Sequence, residues 1–258
     1  MRYLLTNDDG IYARGLSALY DELSQDADCL IVAPEVEQSA VGHAITVFRP
    51  LMVRPADKDG HFLGYSVAGT PADCVKIGLK ELTDCPVDLV VSGINKGANV
   101  GINVLYSGTV SAATEGVILG VPSLAISLDA HHQADYTFAA RFARKMAAFI
   151  IKNGPFANCV LNVNVPALPE EEIKGIAVVR QAKAKLMENF DKRTDPRDNV
   201  YYWLAGETQF TGQEEPDSDA SALRRGMITI TPLYFDLTRH DLLSDLSTKI
   251  QASFLGAL

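Results

Sequence analysis

The chain has few cysteines, and their spacing excludes the metal and redox motifs that are built on paired thiols. Only four occur in 258 residues, and they stand far apart: Cys29, Cys74, Cys85 and Cys159. A zinc site or a redox pair would place two of them within a few positions of each other. We therefore expect four reduced thiols that serve mainly as packing groups.

Long hydrophobic runs and basic clusters are also missing from the sequence. The first apolar stretch is too short for a signal peptide or a membrane-spanning helix, so we expect a cytoplasmic protein with no membrane partner. The formal net charge is −9 and no segment is rich in lysine and arginine, which argues against a polymeric nucleic-acid partner. A small phosphate ester could still bind where a metal or a helix terminus reverses the local charge.

Short apolar segments alternate with longer amphipathic ones along most of the chain. Strands are expected at residues 4–5, 30–33, 88–92, 123–127, 160–163 and 227–231. Helices are expected around residues 16–23, from 71 to about 82, and over 109–119, 136–152 and 241–255. Strands that alternate with helices predict an α/β fold with a doubly wound, Rossmann-like and mostly parallel sheet.

The alternation of apolar and amphipathic segments ends after about residue 174. A strongly charged segment (182–198) then precedes an aromatic strand (201–204). This pattern predicts a protruding β-hairpin, which is either a solvated excursion or an arm that packs against a second subunit. The aromatic side chains favour the second interpretation. We expect a single domain over residues 1–258, with its core at about 1–180. The hairpin and a C-terminal oligomerisation arm would then occupy about 181–258.

Two adjacent carboxylates, Asp8 and Asp9, end the first apolar run, and Gly10 follows them. Like charges at the end of a buried strand repel each other and lose hydration, unless a cation or a cluster of donors balances them. Oxygen ligands of this kind suit Mg²⁺ or Mn²⁺. The alternative is that the segment is only a turn, with one aspartate capping the next helix.

The loops that follow the other strands hold further candidate ligands. In doubly wound sheets, ligands bind beyond the carboxyl ends of the strands, near the point where the strand order reverses. Asn95 could offer a carbonyl oxygen to a hard cation, and the hydroxyl of Ser39 could complete the set. Asn99 fits either a ligand or a turn residue.

An anion cradle is expected where the helix at 109–119 begins. Ser107, Gly108 and Thr109 would offer free N–H groups and hydroxyls to a phosphate, although an N-cap uses the same geometry. We add Asn99 to this candidate phosphate-binding set. Candidate proton donors to a leaving group are His43, His240 or water. His131 and His132 stand in a polar segment and are interpreted as surface residues.

Five segments together resemble the SurE survival-protein family, and they occur in the family's order. They are residues 4–10, 69–75, 92–99, 106–116 and 230–233. The resemblance implies metal-dependent nucleotidases that hydrolyse nucleoside 5′- and 3′-monophosphates, with activity on short polyphosphates as a further implied property. It also implies a Rossmann-like core and a homodimer or homotetramer, formed here through residues of about 183–203 and those after Met227.

The resemblance also implies roles for individual residues. One divalent metal ion per subunit, Mg²⁺ or Mn²⁺, would be bound by Asp8, Asp9, Ser39 and Asn95. The phosphate would be held by Ser107, Gly108 and Thr109. Two positions depart from the family's pattern: Ala40 stands where glycine is common, and Asp198-Asn199 stands where a glycine is frequent. Asn199 could adopt the left-handed conformation that the glycine would supply.

These features favour metal-assisted phosphomonoester hydrolysis, with Asp8 or Asp9 orienting the attacking water. A phosphatase that uses Asp8 as a covalent nucleophile would place a second aspartate at position 10, where glycine stands. A phospho-receiver module would carry an aspartate at the end of the strand that here closes with Ser92 and Gly93. A dinucleotide-binding protein would have a Gly-x-Gly-x-x-Gly motif after the first strand, and this chain has none.

Overall fold

A computed structural model describes residues 1–130, 134–154, 156, 158–183, 189–205 and 215–254. His131 and His132 lie outside the described residues, as do positions 184–188 of the expected hairpin and 255–258 of the expected arm. The strands are β1 (Arg2–Thr6), β2 (Asp28–Pro34), β3 (Val53–Lys58), β4 (His61–Val67), β5 (Leu89–Lys96), β6 (Ser123–Asp129), β7 (Val160–Pro166), β8 (Ile176–Val178), β9 (Asn189–Thr194), β10 (Val200–Ala205) and β11 (Ile228–Leu233). The helices are α1 (Arg14–Leu23), α2 (Pro71–Glu81), α3 (Gly108–Ile118), α4 (Thr137–Asn153), α5 (Asp219–Arg224) and α6 (Leu243–Phe254).

Nine strands form one sheet in the order β3-β4-β2-β1-β5-β6-β7-β11-β8. The pairs from β4 through β7 are parallel, whereas β3 and β11 run antiparallel to β4 and β7. The chain builds outward from β1 through β2 and then returns with β5 on the other side of β1. This reversal confirms the doubly wound α/β fold and places the switch in strand order between β1 and β5.

Helices cover both faces of the sheet, which explains the continuous apolar strands. Leu5 packs with Leu16 and Leu19 of α1 and with the buried face of α4. Its neighbour Leu4 points the opposite way, into a second cluster with Val75 of α2. Alternate side chains of one strand therefore enter two separate cores.

The start of α2 is built as the sequence predicts. Thr70 is its N-cap, Pro71 is its first residue, and Asp73 closes a capping box with Thr70. The two oxygens of Asp73 also accept hydrogen bonds from Thr46, one from its amide at 2.9 Å and one from its hydroxyl at 2.7 Å. The long segment between β2 and β3 is thereby fastened to α2.

The predicted hairpin is confirmed in β9 and β10, which form a separate antiparallel sheet. Its left-handed turn residue is Asp198 rather than Asn199, because Asp198 has a φ of 62°. Ala40 has a φ of 53°, so it adopts the conformation for which the family's glycine is suited.

Two expectations about the core boundary are wrong. Residues after Met227 do not all belong to a C-terminal arm, because β11 lies inside the central sheet between β7 and β8. The core does not end near residue 180, since α5 is largely buried and packs on β7 and β11. The sequence analysis also missed the β3–β4 pair, whose edge position gives it a weak apolar signal.

The C-terminal helix α6 stands apart from this core, and the structure buries none of its residues. In the described part of the chain, no helix combines the length and the apolar character needed to cross a bilayer.

We predict that Asp73→Ala lowers the free energy of unfolding by about 2–4 kcal/mol, because it removes a helix cap and both bonds to Thr46. Urea titration followed by circular dichroism measures this loss. Asp57→Ala, at an exposed position in β3, is the control and should change stability by less than about 0.5 kcal/mol. Equal losses in the two variants would contradict this account of the β2–β3 segment.

Candidate metal and phosphate site

The ends of three neighbouring strands bring the predicted metal ligands to one edge of the sheet. Asp8 and Asp9 follow β1, which lies between β2 and β5. Asn95 is the next-to-last residue of β5, and the backbone and the charge of the adjacent Lys96 both lower the pKa of Asp9. Ser39 arrives from the loop after β2, where the amide of Gln38 donates to the backbone oxygen of Asp8 at 2.7 Å.

The acidic pair is electrostatically unfavourable as it stands. Asp8 is only 7% exposed, and burial raises its pKa despite the hydrogen bonds that it accepts. Burial and the charge of Asp8 raise the pKa of Asp9 to about 6, with a further contribution from Glu37. Nearby Lys96 opposes this shift only in part. A bound cation would offset the repulsion directly.

The N-terminus of α3 packs directly against Asp8. The hydroxyl of Thr109 donates to Asp8 Oδ1, and the backbone of Thr109 also helps to lower the pKa of this carboxyl against the effect of burial. Gly108 makes the approach possible, because a Cβ there would lie 2.7 Å from the Cβ of Asp8. The absence of a side chain at Gly108 and the hydroxyl of Thr109 together hold the helix against the carboxylate.

This contact changes the expected role of Thr109. Its hydroxyl donates to Asp8, so it is not a free donor for a phosphate. Ser107 is the N-cap of α3, and its hydroxyl oxygen accepts a hydrogen bond from the amide of Val110 at 3.1 Å. The proton of this hydroxyl has no acceptor among the described residues. Ser107 and Gly108 are therefore the better placed members of the predicted cradle.

Asn95 presents the atom that a hard cation prefers. Its Nδ2 donates to the backbone oxygen of Gly97 at 2.8 Å. That bond fixes the orientation of the amide group and leaves the carbonyl oxygen Oδ1 as a ligand atom.

Asn99 takes part in a buried hydrogen-bond network. Its Nδ2 donates to Ser127 at 2.9 Å, and its backbone oxygen accepts hydrogen bonds from the side-chain amides of Asn162 and Asn164. Its own backbone amide donates to Asn164 Oδ1 at 2.7 Å. This network holds the loop after β5 against β6 and β7, and it uses one of the two N–H donors of the Asn99 side chain.

The two candidate acid histidines both face carboxylates. His43 Nε2 lies 2.9 Å from Glu115, which is 3% exposed on α3 and also binds Lys76. Burial opposes ionisation of Glu115, yet the bonds from His43 and Lys76 lower its pKa overall. His240 lies 2.7 Å from Asp236 in the exposed C-terminal segment. Neither ring is committed to the candidate site.

The sequence analysis missed Glu37 and Glu115. Glu37 accepts a hydrogen bond from Ser39 and adds its charge to the field of the acidic pair. Its position two residues before Ser39 was the only feature of the sequence that could have indicated a place near the site. Glu115 lies on a helix, and only the fold brings His43 and Lys76 to it.

The donor set fits a hard divalent cation. Within the described ranges, no three His, Cys, Asp or Glu side chains are grouped so that they could hold a metal. The candidate set therefore mixes two carboxylates with a hydroxyl and an amide oxygen. Such oxygen-only ligands suit Mg²⁺ or Mn²⁺ and disfavour zinc.

Comparisons with known proteins agree on one family. The model described as "Survival protein SurE" matches residues 3–188. The 5′-nucleotidase SurE of Syntrophus aciditrophicus (strain SB) is 74% identical over 250 residues, which are 97% of this chain and 94% of that protein. The 5′-nucleotidase SurE of Syntrophobacter fumaroxidans (strain DSM 10017 / MPOB) is 49% identical over 246 residues, or 95% and 98% of the two chains. The crystal structure of the SurE protein from Aquifex aeolicus has a TM-score of 0.83 at 39% identity, covering 96% of this chain and 99% of that one.

We predict that Asp9→Asn stabilises the metal-free protein at neutral pH. The raised pKa of Asp9 means that its ionisation destabilises the fold progressively as the pH rises from about 4 through about 6. With its partial exposure discounted, the gain in the variant should be about 1–2 kcal/mol at about pH 7.5.

Urea titrations in EDTA measure the difference at several pH values. It should vanish at about pH 3 and below, where the carboxyl is mostly protonated in both states. Added Mn²⁺ should stabilise the parent protein more than the variant. A variant that is less stable than the parent in EDTA at neutral pH would contradict the like-charge account.

Proposed function

The chain belongs to the SurE survival-protein family, and from this premise we propose which of its residues perform the family's reaction. The protein is a 5′-nucleotidase, a phosphoric monoester hydrolase that releases phosphate from nucleoside monophosphates. It resembles named 5′-nucleotidases over nearly its whole length. The observation that supports the residue assignments best is the docking of the α3 N-terminus onto Asp8.

A divalent cation belongs to the reaction of this family, and we propose its ligands here. Asp8, Asp9, Ser39 and Asn95 would hold one Mg²⁺ or Mn²⁺ per subunit. The support is their position at the carboxyl ends of β1 and β5 and in the loop after the neighbouring β2, and the unfavourable charge that the two aspartates concentrate there. When bound, the cation would lower the pKa of a water and polarise a phosphoryl oxygen.

The phosphate would lie at the start of α3. We propose that the Ser107 hydroxyl and the Gly108 amide donate to phosphoryl oxygens, helped by the positive end of the helix dipole. Thr109 contributes indirectly, since its hydroxyl keeps Asp8 in place. Asn99 supports the neighbouring loop through its buried network rather than by contact with the phosphate.

We propose different roles for the two aspartates. Asp8 is held on one oxygen by Thr109, so its geometry is fixed. Asp9 is less buried than Asp8, and its raised pKa of about 6 lies close to neutral pH. We therefore propose that Asp9 orients the attacking water. With His43 and His240 facing carboxylates, water is the proposed proton donor to the leaving nucleoside.

We predict that Asp8→Asn and Asp9→Asn each lower metal-dependent phosphate release by about 100-fold or more. The assay measures phosphate released from a panel of nucleoside 5′- and 3′-monophosphates with Mg²⁺ and Mn²⁺. Asp21→Asn, at an exposed site on α1, is the matched control and should keep full activity. Undiminished release by Asp9→Asn would refute the proposed site.

The same panel tests the wider substrate range. We propose hydrolysis of 3′-monophosphates alongside 5′-monophosphates, and short polyphosphates belong in the panel as the further family-implied substrate. The cytoplasm is the proposed location, which suits the free thiols of all four cysteines.

We further propose a homodimer or homotetramer formed through the hairpin and α6. Apolar side chains on the hairpin are half or more exposed in the single chain: Phe190, Val200, Tyr202, Trp203 and Leu204. On α6, Leu243, Leu246, Ile250 and Phe254 are similarly exposed, and the helix has no buried residue. Apolar surface of this extent commonly marks a protein interface.

We predict that Trp203→Lys combined with Leu246→Lys reduces the molecular mass in solution, because buried lysines would disfavour association. Light scattering coupled to size-exclusion chromatography measures the mass. Ile118→Lys, at an exposed apolar position on α3, is the control and should leave the assembly unchanged. An unchanged mass in the double variant would exclude these two elements as the interface.

A further inference from the structure

Glu37 is a carboxylate at the site edge that the proposed ligand set does not use. It lies in the loop after β2, and its Oε1 accepts a hydrogen bond from the hydroxyl of Ser39. This bond is the only one that fixes the Ser39 side chain among the described residues.

The backbone around Glu37 is fixed against the acidic pair. The amide of Gln38, which separates Glu37 from Ser39, donates to the Asp8 backbone oxygen at 2.7 Å. On the other side, Gly10 lies at ordinary contact distance, since an added Cβ there would be 3.7 Å from the Glu37 nitrogen. The Glu37 charge also contributes to the raised pKa values of Asp8 and Asp9.

Glu37 does not act as a ligand in this arrangement. No group of three acidic or other metal-binding side chains forms within the described part of the chain, although Asp8, Asp9 and Glu37 are neighbours. Instead, its carboxylate accepts the hydrogen bond that the Ser39 hydroxyl donates. The oxygen lone pairs are then left for another partner, and a charged acceptor makes that oxygen a stronger donor to a cation.

We propose that Glu37 is a positioning residue, which orients the Ser39 hydroxyl as a metal ligand and supplies a third negative charge beside it. This inference rests on the proposed ligand set, in which two side chains are uncharged, those of Ser39 and Asn95. A hydroxyl alone is a weak ligand for Mg²⁺ or Mn²⁺, so its orienting partner should matter for affinity.

Mn²⁺ binding, measured by calorimetry on the purified full-length protein, tests the proposal. Glu37→Gln should weaken binding about tenfold. Glu35→Gln is the matched control: it removes the same charge two residues away, where the carboxylate binds Arg54 at 3.1 Å. It should change the affinity by less than about twofold. Equal losses in both variants would overturn the proposal, because they would reflect net charge alone.

A double-mutant cycle tests whether Glu37 acts through Ser39. In a Ser39→Ala background, Glu37→Gln should cost clearly less Mn²⁺ affinity than it does in the parent. Fully additive losses would overturn the positioning role. Unfolding in EDTA should show no loss of stability for Glu37→Gln, because the side chain is exposed and its charge adds to the repulsion within the acidic pair. A loss of stability would overturn a role confined to the metal.

Asp9→Asn separates this inference from the proposed function. If the parent protein binds Mn²⁺ and Asp9→Asn abolishes the binding, the ligand set stands. Should Glu37→Gln then bind as tightly as the parent, only the positioning role of Glu37 fails. If the parent protein itself shows no Mn²⁺ binding, both the ligand set and the role of Glu37 fail.

Discussion

Two carboxylates held side by side at the buried edge of a parallel sheet are the constraint on which the site depends. Asp8 is almost completely buried, and the pKa of Asp9 is raised by its own burial and by the neighbouring charge of Asp8. Such an arrangement lowers the stability of the protein when both groups are ionised. The surrounding groups hold this pair in place but do not neutralise its charge. The proposed divalent cation would supply the missing counter-charge.

The fold supplies those groups from elements that are distant in the sequence. The N-terminus of α3 binds Asp8 through Thr109, and Gly108 allows the close approach. Lys96, at the end of β5, partly offsets the raised pKa of Asp9. A buried amide network around Asn99 keeps the following loop on β6 and β7. Each contact limits motion at the strand ends, so the proposed ligands and the phosphate cradle share one rigid frame.

Much of this could be predicted because local patterns carry it. Apolar runs alternating with amphipathic ones led to the doubly wound sheet, and Thr70-Pro71 marked the start of α2. Where the local signal was weak, the prediction failed. The exposed β3–β4 edge lacks a continuous apolar run, and β11 looked like part of an arm because nothing in its sequence reveals its pairing with β7. Strand pairing over long sequence distances is decided by packing, which no single segment encodes.

The sequence by itself determined the chemistry available: two adjacent carboxylates, a hydroxyl, an amide and a helix start, each placed after an apolar strand. Only the tertiary structure decided how these groups are used. It turned the hydroxyl of Thr109 toward Asp8, committed Asn99 to a buried network, and brought Glu37 to Ser39. The physical reason is that residue type fixes which bonds a side chain can form, whereas its partners depend on the relative positions of separate elements, which are set by burial of the common core.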